Sequence, residues 1–360
     1  MLTLIIFIIV LSILVFVHEF GHFIMAKRAG MKVEEFGFGF PPRAFGVKRG
    51  ETIYSVNWIP FGGFVKVFGE DGEGRENSRS FAAGSAKIRA GVIVAGVVMN
   101  IILAMLLLSV GNAVGLRVGL VDETMAGRAK DKKVQIIQVA AGSPAEQTGL
   151  KVLDEIIGFK VDGRTVKISE VAAVQEFVNK NLGHEIVMLL SDDDKTTEKK
   201  LLPRAHPPEG EGALGISLAA TGIIKYPWYE AIGRGVSDTV TITGYTISGY
   251  ATIIKNIFVS GKAGVELSGP VGIAVITGKA ARLGFTYLMQ FVALISINLA
   301  ILNIIPFPAL DGGRLLFVGI EKIKGKPVSR KIENAINTAG FALLIMLMIY
   351  ITTKDIIKFL

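Results

Sequence analysis

The chain has 360 residues, of which 51% are hydrophobic and 19% charged, and its formal net charge is +8. A soluble domain of this length would rarely be so apolar, and because the apolar residues come in blocks, the composition indicates a membrane protein. The basic residues fall in loops beside those blocks, so bilayer anchoring explains them better than nucleic-acid binding does. The absence of cysteine excludes disulfides, thiol nucleophiles and thiolate metal ligands, which leaves His and carboxylate groups for metal chemistry.

The first apolar block, at about residues 2–26, is predicted to be a retained transmembrane helix rather than a signal peptide. No Lys or Arg precedes its core, and the block continues through HEFGHFIMA before Lys27 and Arg28. Three later blocks, at about 90–112, 285–305 and 335–353, are also long and apolar enough to span a bilayer.

The segments between these blocks differ in character. The runs TIYSVNW and FVKVF alternate between apolar and polar residues and are punctuated by Pro and Gly, which predicts β-hairpins. VQIIQVAAGSPAEQTGL, EVAAVQEFVNK and HEIVMLL predict an extramembrane domain of strands and short helices. Residues 228–258 have apolar positions near helical spacing with Thr, Ser and Gly between them, which is typical of an amphipathic helix at a membrane interface. SGPVGI (268–273) is predicted to be a turn that leads into the third transmembrane helix.

The predicted architecture is therefore a polytopic α-helical membrane protein with about four transmembrane helices, a membrane-associated β-hairpin region and an inserted α/β domain. In chain order we expect transmembrane helix 1 at 1–27, the loop with the β-region at 28–89, helix 2 at 90–113, the α/β domain at 117–218, an amphipathic helix and linker at 226–275, helix 3 at 285–315 and helix 4 at 335–354.

The loop between the first two helices sets the expected orientation. From Lys27 to Arg89 it holds eleven Lys and Arg residues, so the positive-inside rule places it in the cytoplasm. The N-terminus and the α/β domain are then expected outside the cytoplasm.

The motif HEFGH within the first apolar block predicts a metal site. Residues four apart share one face of a helix, so His18 and His22 can reach the same ion, and Glu19 lies within reach of a bound water. The alternative is a pair of histidines that make polar contacts between helices. Ionisable residues inside a membrane are costly and mark functional sites by default, which favours the metal site.

A catalytic zinc has three protein ligands and one open position, so a third ligand is required. Glu34 and Glu35 lie in the basic loop, and His184 and His206 are expected at the surface of the extramembrane domain and its linker. A better candidate is Asp311, which follows the helix-breaking prolines of NIIPFPALDGGR and is expected in a Gly-rich turn. For that residue alone, an ordinary Asp-Gly turn at a helix end is the simpler interpretation.

HEFGH and NIIPFPALDGG together resemble the site-2 protease family of intramembrane zinc metalloproteases, in particular the bacterial RseP-like group with a PDZ domain. FGFG (36–39), WIPFGGFVKV (58–67), VAGVVMN (94–100) and SGPVGI (268–273) also resemble segments of that family. Two positions depart from it, because Val97 stands where the family has proline and GLKVLDEI stands where GLKPGDEI is usual.

The resemblance implies Zn²⁺ as the cofactor, a catalytic base, and residues that contact the substrate or the transition state. By position these are the ligands His18, His22 and Asp311, the base Glu19, and the contacts Asn303 and Asn100. An asparagine that hydrogen-bonds between helices is the alternative for Asn303.

The implied function is hydrolysis of peptide bonds within the single-span transmembrane helices of membrane proteins, such as an anti-sigma factor or remnant signal peptides, in the bacterial inner membrane. The implied partners are those substrates, the lipid bilayer and a peptide C-terminus at the PDZ-like domain, where GALGIS (212–217) is the candidate carboxylate-binding loop. No nucleic-acid partner is expected.

Two other functions remain as alternatives: a non-catalytic membrane adaptor with a PDZ domain, and a metal transporter. The presence of Glu19 together with a complete set of ligands argues against an inactive adaptor. A transporter would need polar residues along several helices, whereas these are expected to cluster at one depth.

Overall fold

The structure is a computed structural model that describes residues 2–161, 164–192, 195–261 and 269–359. The helices in chain order are α1 (Leu2–Arg28), α2 (Ala86–Val114), α3 (Glu123–Arg128), α4 (Pro144–Gln147), α5 (Val171–Lys180), α6 (Trp228–Ser260), α7 (Pro270–Leu283), α8 (Phe285–Ile304), α9 (Asp311–Lys324) and α10 (Arg330–Phe359). The strands are β1 (Val33–Arg49), β2 (Thr52–Val67), β3 (Leu116–Gly119), β4 (Lys130–Val139), β5 (Glu155–Val161), β6 (Arg164–Lys167), β7 (Ile186–Asp192), β8 (Lys195–Leu201) and β9 (Ile216–Ile224).

Within the described ranges, four helices are long and apolar enough to cross a membrane, namely α1, α2, α8 and α10. This confirms the number of spans expected from the apolar blocks. Many of their large apolar side chains are exposed, including Leu2, Leu106 and Phe341, as expected for surfaces that face lipid.

The chain forms two compact units. One comprises the residues up to Gly111 together with those from Trp228 onward, and the other comprises Asn112–Pro227. The second unit is built on an antiparallel sheet with the strand order β3-β9-β4-β5-β7-β8, and β6 pairs with β5. Phe159, Ile136 and Met188 are fully buried in its hydrophobic core, where α5 also packs.

In the first unit, β1 and β2 form an antiparallel sheet that packs on α1. β2 folds back on itself, so that Gly37 of β1 pairs with Ser55 on one side and with Phe64 on the other. The segment 63–67 is therefore an outer strand. Phe36 of β1 stacks on Phe23 of α1 with a ring-centroid distance of 4.7 Å, which ties this sheet to the helix that carries HEFGH.

The segment SGPVGI differs from the sequence expectation of a turn leading into the third transmembrane helix. The structure begins α7 at Pro270, a favourable first position because proline lacks the N–H that a helix leaves unpaired there. The Asp355 carboxylate on α10 accepts hydrogen bonds from the N–H groups of Gly269 (2.9 Å) and Gly272 (2.7 Å). The helix thus receives its cap from a residue distant in sequence. The serine of this segment, like the rest of residues 262–268, lies outside the described residues.

The predicted amphipathic helix corresponds to α6, which is a continuous helix. Its exposed apolar side chains include Trp228, Val240 and Phe258. Its location at a membrane interface stays a prediction.

Candidate active site

Three side chains that are far apart in sequence converge in the first unit. His18 and His22 lie one turn apart on α1, and Asp311 is the first residue of α9. His18 Nε2 lies 2.9 Å and His22 Nε2 3.2 Å from Asp311 Oδ2, and the two Nε2 atoms are 3.2 Å apart. Within the part of the chain that the structure describes, this is the group of His, Cys, Asp and Glu side chains placed to hold a metal ion. Two imidazole nitrogens and one carboxylate oxygen are a donor set that fits a catalytic zinc and leaves one position open.

The backbone between α8 and α9 brings Asp311 to the histidines. α8 ends at Ile304, and the following segment with its two prolines cannot continue the helix. Ala309 has a φ of +71°, in the left-handed region that a residue with a Cβ rarely adopts. A Cβ on Gly312 would collide with the carbonyl oxygens of Ile304 and Ile305, so only glycine permits this close approach.

Asp311 was expected in a Gly-rich turn, and the structure places it instead in the first turn of α9. The unpaired N–H groups at a helix N-terminus carry a partial positive charge, which favours a carboxylate at this position.

Glu19 lies beside the first histidine, and its carboxylate faces the outer strand of the β1–β2 sheet. Glu19 Oε2 accepts a hydrogen bond of 3.2 Å from the backbone N–H of Val65. The outer strand and the proposed base are therefore in direct contact.

Both asparagines singled out in the sequence lie against His18, on opposite sides of its ring. Asn303 Nδ2 on α8 is 3.4 Å from His18 Nε2, the nitrogen that faces Asp311. Asn100 Nδ2 on α2 is 3.5 Å from His18 Nδ1, and Asn100 is fully buried. The structure thus brings together all six residues that the sequence singled out.

Two further residues contribute to the site although the sequence singled out neither of them as a site residue. His22 Nδ1 donates a hydrogen bond of 2.8 Å to the backbone carbonyl of Val92, which leaves Nε2 free to bind a metal. A Cβ on Gly96 would lie 2.5 Å from His22 Nε2 and 2.7 Å from His18 Cε1, so the absence of a side chain there lets α2 pack against both rings. Val92 leaves no sequence signal because its backbone carbonyl makes the contact. Gly96 did carry one, since it lies four residues before Asn100 and therefore on the same helix face.

The other candidate third ligands lie elsewhere. Glu34 is 3.1 Å from Lys66 Nζ, and Glu35 is 2.6 Å from Arg43 Nη2. His184 and His206 are exposed and belong to the second unit.

Ion pairs also connect the elements that carry the site. Arg314 of α9 is paired with Glu70 at 2.6 Å in the segment after β2. In the turn between β1 and β2, hydrogen bonds from Arg79 and Lys27 lower the pKa of Glu51 to about 2. Glu51 therefore remains ionised over the physiological range and links the β1–β2 turn to the end of α1.

Comparison with known proteins extends the likeness to nearly the whole chain. Residues 6–347 match the sequence model of Peptidase family M50. The zinc metalloprotease RasP of Geobacillus kaustophilus is 31% identical, over 98% of this chain and 97% of that protein. RasP of Oceanobacillus iheyensis is 30% identical, over 99% of each. The regulator of sigma-W protease RasP of Bacillus subtilis is 30% identical, over 98% of each. The chain belongs to peptidase family M50 and is a zinc metalloprotease.

Proposed function

We propose that this zinc metalloprotease hydrolyses peptide bonds within transmembrane segments of membrane proteins, with His18, His22 and Asp311 as its zinc ligands and Glu19 as its base. The observation that carries the assignment is the convergence of three ligand atoms, all within 4.8 Å of one another, from two helices that the sequence separates by nearly the whole chain. Two of these residues lie within an apolar helix long enough to span a bilayer, which supports a site that acts on membrane-embedded peptides.

The proposed chemistry divides between the metal and the side chains. A bound zinc supplies Lewis-acid polarisation of the substrate carbonyl and a water with a pKa of about 7. Glu19 takes a proton from the attacking water and passes it to the leaving amine. Asn303, through its amide N–H, donates a hydrogen bond to the oxyanion that develops on the substrate carbonyl.

The decisive experiment compares Glu19→Gln with Asp311→Ala in detergent-purified protein. Glu19→Gln is expected to retain zinc and to lose cleavage of a reporter transmembrane substrate, because its amide cannot accept the proton. Asp311→Ala is expected to lose zinc as well. A fully active Asp311→Ala protein would show the ligand assignment wrong. A Glu19→Gln protein that still cleaves the substrate would show that Glu19 is not the base.

The outer strand at 63–67 is the proposed docking edge for substrate. A transmembrane helix must unwind before cleavage because its carbonyls are engaged in intrahelical hydrogen bonds, and an unwound segment can add to an exposed strand. The N–H of Val65 points away from β1 and donates a hydrogen bond to Glu19, so a substrate strand along this edge would lie beside the proposed base. Val65→Pro, which removes that donor, is expected to reduce cleavage while zinc content stays intact. Unchanged cleavage would contradict this role.

The second unit is proposed to be a PDZ-like domain that binds a peptide C-terminus. Residues 216–219 of β9 pair with β4 on one side, and within the described residues no strand covers their other edge. A cavity of about 230 Å³ lies beside this edge, between β9, α5 and the loop of GALGIS. Its apolar lining comes from Val174, Val178, Ala213, Leu214, Ile216 and Leu218. An open strand edge beside an apolar cavity suits strand addition by an extended peptide.

The test uses a labelled peptide that ends in an apolar residue, with either a free carboxylate or an amide, added to the full-length protein. The carboxylate form is expected to bind and the amide form to bind much more weakly. Val174→Glu, which places a charge in the cavity, is expected to abolish binding. Equal binding of the two peptides would contradict the proposed recognition.

The proposed setting is the bacterial inner membrane, with the N-terminus and the second unit outside the cytoplasm. Because the chain has no cysteine, single cysteines can report this directly. The Lys200 and Arg75 side chains are both exposed, and in this topology they lie on opposite sides of the membrane. A membrane-impermeant maleimide is therefore expected to label Lys200→Cys but not Arg75→Cys in intact cells. Labelling of Arg75→Cys alone would show that the proposed orientation is inverted.

The substrate class proposed is a single-span membrane protein in regulated intramembrane proteolysis, such as an anti-sigma factor, or else remnant signal peptides. The name of the Bacillus subtilis relative, regulator of sigma-W protease, supports the former. Membrane peptides that accumulate in cells carrying Glu19→Gln would identify the substrates.

A further inference from the structure

One face of α2 runs alongside both histidines. Val92, Gly96 and Asn100 are spaced four residues apart, so they lie in one row on the helix. The carbonyl of Val92 accepts the hydrogen bond from His22 Nδ1, Gly96 leaves the space that the rings occupy, and the Asn100 amide meets His18 Nδ1. Each end of the row thus contacts the Nδ1 atom of one histidine.

If both histidines bind the metal through Nε2, each Nδ1 atom requires a hydrogen-bond acceptor. A neutral imidazole that binds a metal through Nε2 carries its proton on Nδ1 and therefore donates a hydrogen bond. For His22 the acceptor is the Val92 carbonyl, at 2.8 Å. For His18 the group beside Nδ1 is the Asn100 amide, at 3.5 Å.

Asn100 can supply that acceptor. Its Oδ1 is buried and, among the described residues, has no hydrogen-bond partner. A 180° rotation of the amide exchanges Oδ1 and Nδ2 with almost no change of shape, which would place the unused acceptor against His18 Nδ1–H. The backbone at this point is held by Ser296 of α8, whose hydroxyl donates a hydrogen bond of 2.8 Å to the Asn100 carbonyl.

The position of Asn100 suits orientation of His18 better than contact with a substrate. Asn100 is fully buried and lies on the Nδ1 side of the ring, whereas Asp311 and Asn303 lie on the Nε2 side. The substrate contact expected for Asn100 from the family resemblance stays a prediction.

We propose that Asn100 is a positioning residue, whose Oδ1 accepts a hydrogen bond from His18 Nδ1–H and thereby holds Nε2 toward the metal. This inference rests on the proposed function, because it takes His18 to be a zinc ligand. Partners of this kind raise metal affinity typically about 10- to 100-fold.

The test measures zinc affinity by chelator competition on the purified full-length protein, together with the thermal unfolding of the zinc-free form. Asn100→Leu, which keeps the bulk but removes the acceptor, is expected to weaken zinc binding about 10- to 100-fold. Asn100→Asp, which retains an acceptor, is expected to bind zinc much more tightly than Asn100→Leu, because the carboxylate accepts from the same Nδ1–H. Ile93→Val, a buried change on the same helix, is expected to leave zinc affinity unchanged and so controls for packing.

Two outcomes would overturn the proposal. Unchanged zinc affinity in Asn100→Leu would show that the hydrogen bond does not orient the ligand. Equal losses in Asn100→Leu and Asn100→Asp would show that Asn100 acts through packing. His18→Ala separates this inference from its premise. If that variant retains zinc, the proposed ligand set itself is wrong. If it loses zinc while Asn100→Leu does not, only the role of Asn100 is wrong.

Discussion

The substitution Gly96→Ala is the sharpest test of how α2 supports the site. The added Cβ would lie 2.5 Å from His22 Nε2 and 2.7 Å from His18 Cε1. Ordinary contacts between such atoms need about 3.5 Å, so the imidazoles or α2 must move by about 1 Å. Active-site groups need to be held to within about 0.5 Å, and overpacking of this kind costs about 1–3 kcal/mol. We expect zinc affinity to fall by about 10- to 100-fold, and cleavage to fall with it.

The matched control is Gly91→Ala in the same helix. A Cβ there would meet the flexible end of Met25, at 3.3 Å, which can move aside. Both substitutions exchange Gly for Ala within a helix, which by itself favours the helix by up to about 1 kcal/mol, so a loss seen only at Gly96 must come from the collision. Zinc affinity measured by chelator competition and cleavage of a reporter transmembrane substrate provide the two readouts. A Gly96→Ala protein with unchanged zinc affinity and cleavage would refute the reasoning.

Three further predictions concern the supports of the site and the second unit. Glu321→Ala removes the carboxylate that lies 2.9 Å from the buried Arg89 guanidinium. This change is expected to lower the free energy of unfolding by up to about 3 kcal/mol, because the charge on Arg89 is left without a partner. An unchanged midpoint of thermal unfolding would contradict the prediction. Gly312→Ala is expected to reduce zinc content, because the new Cβ pushes α9 away from the end of α8; full zinc occupancy would show that the close approach is dispensable. Leu153 has a φ of +72°, which is strained for a residue with a Cβ. Leu153→Gly is therefore expected to stabilise the second unit by about 1 kcal/mol, measured as slower proteolysis of that unit. Faster proteolysis would argue against backbone strain at this position.

The transmembrane helices and the two histidines could be predicted from local sequence. Length and hydropathy alone identify a spanning helix, because a bilayer requires its backbone groups to be satisfied within the segment. The four-residue spacing of His18 and His22 places them on one face by helix geometry alone.

Elements that depend on distant partners were harder to predict. SGPVGI was expected to be a turn, yet its proline starts α7, because Asp355 supplies a cap from more than eighty residues away. The outer position of segment 63–67 also depends on distant residues, because β2 folds back and pairs with both sides of β1. No local sequence pattern indicates which edge of this sheet remains open.

At the site, too, some features could be predicted from the sequence and others depend on tertiary structure. The sequence supplies the chemical groups and shows that a third ligand is required, since HEFGH offers only two. Asp311 was selected by its motif, but its contact with the histidines depends on the packing of α9 against α1. Asn100 was likewise singled out by its motif, but the roles that Val92, Gly96 and Asn100 take at the site are decided by tertiary structure. A backbone carbonyl, an absent side chain and a buried amide acquire their roles only when α2 packs against α1, because each acts through its distance to an imidazole ring and not through its own reactivity.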